Sequence, residues 1–384
     1  MDLYKKFSNL FDVNIIKQLS NKDILIASSN QIKIYSINTF DKIYYFKEIQ
    51  SSIISIKSIS EINSPKNFGL LLAFYLSDFS IQIIKLTKKM KTKTDSKKQS
   101  SVVYRHKLLQ TLGIKINNKI GINTSLCINS FLNYLLIGIN NKVKYYKNKG
   151  EEKINFVKEK EYKINPVIKS DKNNNQYIKG ISSVNYKKYN LLIIIVEIKN
   201  INQYDIKIYY FEKFELITHF RNIYIFPQKG LMSYMTCPND KILYLVLGDK
   251  NDGIMIVKLF DDFDIYENIN LSKKIKELSF NQSNNSNYYE IKSICGLNDG
   301  TFVICLYYNK PLDEKNYLIR GRINQKSKKF ELLYINDNAH NNKSNFITSS
   351  AMIINNNKPE ETYFMSGDHE GMLKIWKMKK NFLK

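Results

Sequence analysis

No run of apolar residues in the sequence approaches the roughly 18 that a membrane-spanning helix needs. The opening "MDLYKKFSNLF" has charges where a signal peptide would carry its apolar core, so a soluble intracellular chain is expected. Cysteine is scarce. Cys127, Cys237, Cys295 and Cys305 have no CxxC spacing, which argues against a zinc site or a disulfide framework and for buried thiols. Cys295 and Cys305 flank the turn "LNDG" at a separation where hairpin partners face each other, but a bridge is not expected in a reducing compartment. Missing too are GxGxxG, a Walker loop, a GxSxG elbow and paired carboxylates on a catalytic spacing. "HEGML" has Leu373 where a zinc-protease helix needs a second His, and neither His340 nor His369 has ligand-like neighbours. "GDKNDG" lacks the further Glu and flanking helices of a calcium loop. No catalytic, cofactor or metal residue is therefore assigned, and no cofactor is expected.

Arginine is nearly absent, with four residues, as is alanine with four, beside a large excess of Lys, Asn, Ile and Tyr. The formal charge of +24 invites nucleic acid or an anionic membrane. Specific phosphate recognition favours the planar fork of Arg over the point charge of Lys. Much of this charge reads as AT-rich coding bias on a solvated surface.

What the sequence has in quantity is short apolar runs. "ILIAS", "GLLLAFYL", "NYLLIGI", "NLLIIIV" and "KILYLVL" are each bounded by Asn, Asp, Ser, Lys or Gly, the pattern of buried strands in a large globular core. A repeat runs through them. "LKIW" at 373–376 recurs as "IKIY" at 32–35, "VKYY" at 143–146 and "IKIY" at 206–209, with "IQII" at 81–84, "IMIV" at 254–257 and "LIRG" at 318–321 filling the gaps. Successive copies lie 48 to 64 residues apart, and each follows two other candidate strands and usually precedes a fourth. Four antiparallel strands repeated on such a period describe the blades of a β-propeller.

The segment "YFMSGDHEGMLKIWKM" around the single tryptophan resembles the signature of WD-repeat propellers, with Ser366 and Gly367, an acidic turn ending at Gly371, and alternation up to Trp376. The resemblance implies a single all-β, seven-bladed propeller of four-stranded antiparallel blades over 1–384. Its approximate blades are 8–49, 50–112, 113–165, 166–224, 225–272, 273–336 and 337–384 plus 1–7. "DLYKKF" at 2–7 is expected to close the last blade as its fourth strand. The sequence departs from the signature in lacking a Gly-His dipeptide and in placing Lys377 after the Trp. The resemblance also implies a structural hydrogen-bonded set that braces the last blade, formed by His340, Ser366, Glu370 and Trp376.

Alternation of turns puts the acidic turns carrying Asp249, Asp252, Asp368 and His369 on one face, as candidate partner contacts. The opposite face receives a basic insertion at 87–101 whose Lys88, Lys89, Lys91, Lys93, Lys97 and Lys98 form a candidate polyanion loop, or else a solvated insertion. "LIRGR" at 318–322 resembles the Arg-Arg-Gly signature of phosphoinositide-binding propellers, with Gly321 interposed. The expected function is a non-enzymatic protein-interaction scaffold, monomeric within a multiprotein complex. The alternative is RNA or anionic-membrane (phosphoinositide) binding through the Lys-rich surface. A propeller enzyme would need a titratable cluster that no spacing announces.

Overall fold

The computed structural model describes residues 1–7, 12–28, 31–46, 56–62, 69–91, 101–113, 126–150, 154–164, 176–186, 189–198, 203–223, 232–237, 242–248, 253–259, 265–270, 289–297, 299–310, 313–324, 327, 329–337, 339–340, 346–354 and 362–378. Among these residues every regular element is a strand, and no helix is long and apolar enough to cross a membrane.

The strands form seven four-stranded antiparallel sheets, or blades. The first holds β2 (Val13–Gln18), β3 (Ile24–Ser28), β4 (Gln31–Tyr35) and β5 (Lys42–Phe46), and the second β6 (Ile56–Ile62), β7 (Leu70–Leu76), β8 (Ser80–Lys91) and β9 (Ser101–Gly113). The third holds β10 (Leu126–Phe131), β11 (Tyr134–Ile139), β12 (Lys142–Asn148) and β13 (Phe156–Lys163). In the fourth are β14 (Gln176–Tyr186), β15 (Tyr189–Ile198), β16 (Gln203–Tyr210) and β17 (Glu215–Ile223). The fifth comprises β18 (Met232–Cys237), β19 (Ile242–Gly248), β20 (Gly253–Leu259) and β21 (Ile265–Asn270), and the sixth β22 (Tyr289–Gly296), β23 (Thr301–Lys310), β24 (Asp313–Asn324) and β25 (Lys329–Asn336). The seventh has three strands from the C-terminal end, β26 (Ile347–Ile354), β27 (Thr362–Asp368) and β28 (Leu373–Lys377). Its fourth is β1 (Asp2–Phe7), which pairs antiparallel with β28. All seven repeat segments lie on third strands.

One irregularity recurs in every blade. Between the third and fourth residues of each repeat segment the pairing to the fourth strand slips by one, leaving an extra residue on that strand. The extra residues are Ile43, Leu109, Glu159, Ile217, Tyr266, Leu333 and, on β1, Tyr4. A bulge bends the edge strand and spoils it as a template for further pairing. Its constant register makes the three weakly matching segments structural equivalents of "LKIW".

The chain falls into two compact units. In the first (Met1–Gln18, Ile24–Ser28, Ile225–Lys384), apolar clusters lie between the fifth and sixth and between the sixth and seventh blades. First strands are tied by hydroxyls: Ser293 Oγ meets Ser350 Oγ at 2.6 Å, and Gly296 N–H donates to Ser233 Oγ at 2.7 Å. In the second unit (Leu19–Asp23, Ser29–Tyr224), clusters join the second to the third blade and the third to the fourth, with Ser60 Oγ donating to Ser130 Oγ at 2.7 Å and Asn129 Nδ2 to Ser183 Oγ at 2.9 Å. Because both faces of the second strands are buried, they read as continuous apolar runs rather than alternating ones.

Packing this close leaves no room for a methyl where strands of adjacent blades meet. A Cβ on Gly367, near the end of β27, would stand 2.3 Å from Val13 Cγ1 on β2. Gly138 and Gly248, near the ends of their own second strands, meet Ile181 Cδ1 at 2.7 Å and Ile294 Cδ1 at 2.6 Å in the same way.

Candidate functional site

The acidic turn of the seventh blade opens with Asp368, the last residue of β27. Its backbone N–H donates to Met372 O at 3.0 Å, and Gly371 closes the loop at φ +84°, where a side chain would be strained. On β27, Ser366 and Asp368 are two residues apart and share a face. His340 reaches that face from the connection between β25 and β26, its Nε2 lying 2.9 Å from Ser366 Oγ and its Nδ1 2.6 Å from Asp368 Oδ2. From β28, Trp376 Nε1–H donates to Ser366 Oγ at 2.9 Å.

The direction of the relay follows from what each group can do. Indole N–H only donates and a carboxylate only accepts, so the Ser366 hydroxyl donates to Nε2 and the Nδ1–H of a neutral imidazole donates to Asp368. Burial, opposed by Asp368, holds the His340 pKa below its ordinary value and favours that neutral form. The connectivity is that of a Ser-His-Asp triad, but Ser366 is 0% exposed and Asp368 1%, so no substrate reaches the hydroxyl. Asp368 thus takes the place assigned from sequence to Glu370. Glu370 lies beyond the strand in the turn, exposed and on no shared face with Ser366. For the same reason Asp368 is not a partner-face side chain.

Two further buried polar groups, which sequence alone did not single out, lock the same corner. Lys374, the lysine of "LKIW", donates from Nζ to Ala339 O at 2.6 Å and lies 5.9 Å from the Trp376 ring, with its pKa lowered chiefly by burial. Asn316 on β24 donates to His340 O at 3.3 Å and accepts from Ile347 N–H at 3.2 Å. In the fourth blade the equivalent lysine, Lys207, is 1% exposed, with Nζ 3.5 Å from Gln176 Oε1. Strand alternation puts each lysine on the face opposite its apolar neighbours; in these two blades that face is buried as well, and the ammonium meets backbone and amide oxygens.

His369 stays on the surface. Its ring stacks on Phe346 at 5.3 Å and 3°, and its Nδ1 lies 3.3 Å from Asp12 Oδ1. Phe346 also receives Lys292 Nζ at 4.3 Å, with Tyr307 beside it. Asp249 and Asp252 lie outside the described residues, as do Lys93, Lys97 and Lys98.

The basic insertion begins later than its composition suggested. Lys88, Lys89 and Lys91 belong to β8, and pairing with β9 runs as far as Lys91 with Ser101. Lys88 is not available as a free polyanion ligand, since its Nζ is 2.9 Å from Asp23 Oδ2. That carboxylate also accepts from Tyr104 O–H, whose pKa is raised by burial and by the bond itself. "LIRGR" is similarly committed. Arg320 is 3% exposed and donates from Nη2 to Asp299 Oδ2 at 2.5 Å and from Nε to Thr301 Oγ1 at 3.2 Å, while Arg322 pairs with Glu331 at 2.8 Å. At Gly321, the tryptophan position, a Cβ would stand 2.1 Å from Phe330 Cε2, so in this blade the aromatic ring comes from the fourth strand instead. Cys127, Cys295 and Cys305 are buried free thiols, and burial pushes Cys295 up to about 12.

Seven blades with a shared bulge and a fourth strand supplied from the N-terminal end define a seven-bladed β-propeller. Solved structures agree over nearly the whole chain. A crystal structure of Chaetomium thermophilum Raptor superposes with a TM-score of 0.58 at 10% identity, covering 99% of this chain and 29% of that one. The β-propeller domain of Myceliophteria thermophila Cps50 (Swd1) does so at 0.58 and 9% identity, covering 98% of this chain and 99% of that one. The chain therefore spans under a third of the Raptor chain and nearly all of the Cps50 domain. At such identities the likeness is one of fold. No protein-family model matches the sequence, and neither does any curated protein.

Proposed function

We propose that the protein is a non-enzymatic protein-interaction scaffold of WD-repeat type, a single propeller over 1–384 that works inside the cell as a monomer within a multiprotein complex. The observation that carries this reading is where large apolar side chains meet solvent. Among the described residues these are Leu3, Tyr4, Tyr45, Leu108, Val157 and Leu216, and every one stands on a fourth strand, β1, β5, β9, β13 or β17. Bulged edges do not take up a further strand well, so these side chains meet partners by packing rather than by strand addition. The Ser366, His340, Asp368 and Trp376 set supports the same reading: its one hydroxyl is sealed, and its role is to brace the last blade and hold His369 at the surface. His369, exposed beside Phe346, is a second candidate partner contact.

The test is crosslinking mass spectrometry of the tagged protein in complexes isolated from its own cells, with and without nuclease. Crosslinks to a nuclease-resistant set of proteins should cluster on the fourth strands. They should disappear in a Tyr45→Ser, Leu108→Ser, Leu216→Ser variant whose thermal melt is unchanged. Crosslinks that survive in this variant would remove the proposal.

A further inference from the structure

We propose that the second blade takes an extended, acidic segment of a partner protein as a fifth strand, added along the outer edge of β9 over residues 101–108. The proposal rests on the scaffold reading for there being a partner, and on none of its apolar contacts. β9 is the outermost strand of its sheet and is 13 residues long. An edge strand presents unpaired N–H and C=O groups to any extended chain that reaches them. In the other blades the recurrent bulge cuts that edge short. Among the described residues, the regular stretch from the partner of each repeat's last residue outward is Lys42 in the first blade, 156–158 in the third, 215–216 in the fourth, Ile265 in the fifth, 329–332 in the sixth and 2–3 in the seventh. In the second blade the bulge falls at Leu109, and residues 101–108 pair with 84–91 without a slip. That is about 27 Å of unbroken edge.

The outer half of this hairpin also stands outside the sheet. Pairing of β7 with β8 reaches only to Leu70 with Leu86, so residues 87–91 and 101–105 form a two-stranded ribbon beyond it. Two strands alone are marginal in water, and a third stabilises them. The β8 edge is obstructed at its start, because the chain entering β7 passes at Gly69, where a Cβ would stand 2.7 Å from Leu86 O and 3.8 Å from Thr87 Cα. The β9 edge remains, and it is held in place. Lys88 and Tyr104 share the Asp23 carboxylate, and Tyr44 Oη lies 2.7 Å from His106 Nδ1. An edge fixed before binding removes part of the ordering cost of association.

Charge selects the occupant. Arg105 and Lys107 are exposed and two residues apart, so they share one face of β9, while Tyr104 and His106 turn to the other, toward Asp23 and Tyr44. Every second side chain of an added strand falls on the Arg105 and Lys107 face, where carboxylates form opposite-charge pairs. A second copy of the same edge would bring cations against cations, a device by which edges avoid pairing with themselves. Cations alone would admit any polyanion. The row of backbone groups beside them is matched by another extended polypeptide, which supplies N–H and C=O on the same repeat.

The test uses the purified full chain and fluorescence anisotropy of a labelled ten-residue peptide that alternates glutamate with threonine or valine. Two further peptides carry N-methyl groups on every second amide, each blocking one edge of the strand. A strand bound through one edge needs only the amides of that edge, so one methylated peptide should bind at least about tenfold more weakly and the other within about twofold of the parent. An Arg105→Glu/Lys107→Glu variant with an unchanged thermal melt should lose at least about tenfold in affinity for the acidic peptide and gain binding of its lysine counterpart. Equal affinities for the two methylated peptides would reduce the site to charge attraction and overturn the proposal. So would absence of parent-peptide binding, a charge-reversed variant that binds as wild type does, or a dimer in light scattering whose formation excludes the peptide. The methylated peptides probe the unaltered protein, so the outcome does not depend on how the variant folds. With only purified components present, failure here leaves crosslinks to the apolar residues standing, and loss of those crosslinks leaves this result standing.

Discussion

Truncating His340 to Ala leaves the Asp368 carboxylate and the Ser366 hydroxyl buried without the imidazole, and a buried polar group left unsatisfied costs about 1–3 kcal/mol. Glu370→Ala, at an exposed turn position, should stay within about 0.5 kcal/mol, and urea denaturation of the two variants separates the assignments. The sign of the pH dependence follows from the same imidazole. With its folded pKa held below the unfolded value near 6.5, its contribution is complete above that value and lost as pH falls toward the folded pKa. Stability should therefore drop as pH falls below the unfolded value near 6.5, with a smaller slope in His340→Gln. Burial likewise raises the Cys295 and Cys305 thiols, so mass spectrometry should find their peptides unalkylated by iodoacetamide in the native protein and labelled after unfolding. Trp376, Ser366 and His340 were legible in the sequence because they are rare or sit in the turn motif. Asp368 was misread, because alternation alone puts 366, 368 and 370 on one side and only the end of β27 at Asp368 leaves Glu370 out.

The third strands were the most legible elements, since apolar repeats on a regular period need little tertiary context. Two features of them were not legible. The sixth blade supplies its ring from Phe330 on β25, so Gly321 looks like a lost signature when it is a position cleared for that ring. The repeat lysines Lys207 and Lys374 look solvated on a half-buried strand but lie inside blades packed on both faces. Glycines give the sharpest test at this scale. Gly367→Ala forces Val13 aside and should cost about 1–3 kcal/mol, whereas Gly113→Ala, with nothing within 4 Å of the new methyl, should leave the melting temperature nearly unchanged.

For the whole molecule, fold class could be read from the sequence because it is written in period, strand length and turn placement. Partners could not be, because a propeller's surface chemistry is independent of its blades. The net charge of +24 has one consequence at this scale. Self-repulsion weakens as the Debye length shortens from about 30 Å at 0.01 M salt to about 8 Å at 0.15 M, so the melting temperature should rise over that range. A calorimetric scan at both salt concentrations measures it.

Pairing of β1 with β28 also sets a schedule for synthesis. The strand made first finds its hydrogen-bonding partner only when residues 373–377 leave the ribosome, roughly 20–75 s later at typical elongation rates. Throughout that interval the nascent chain carries Leu3, Tyr4 and Phe7 without their final neighbour, an unpaired β-segment that attracts chaperones and other nascent chains alike. Slowed translation of the last blade would lengthen that exposure without changing a single residue.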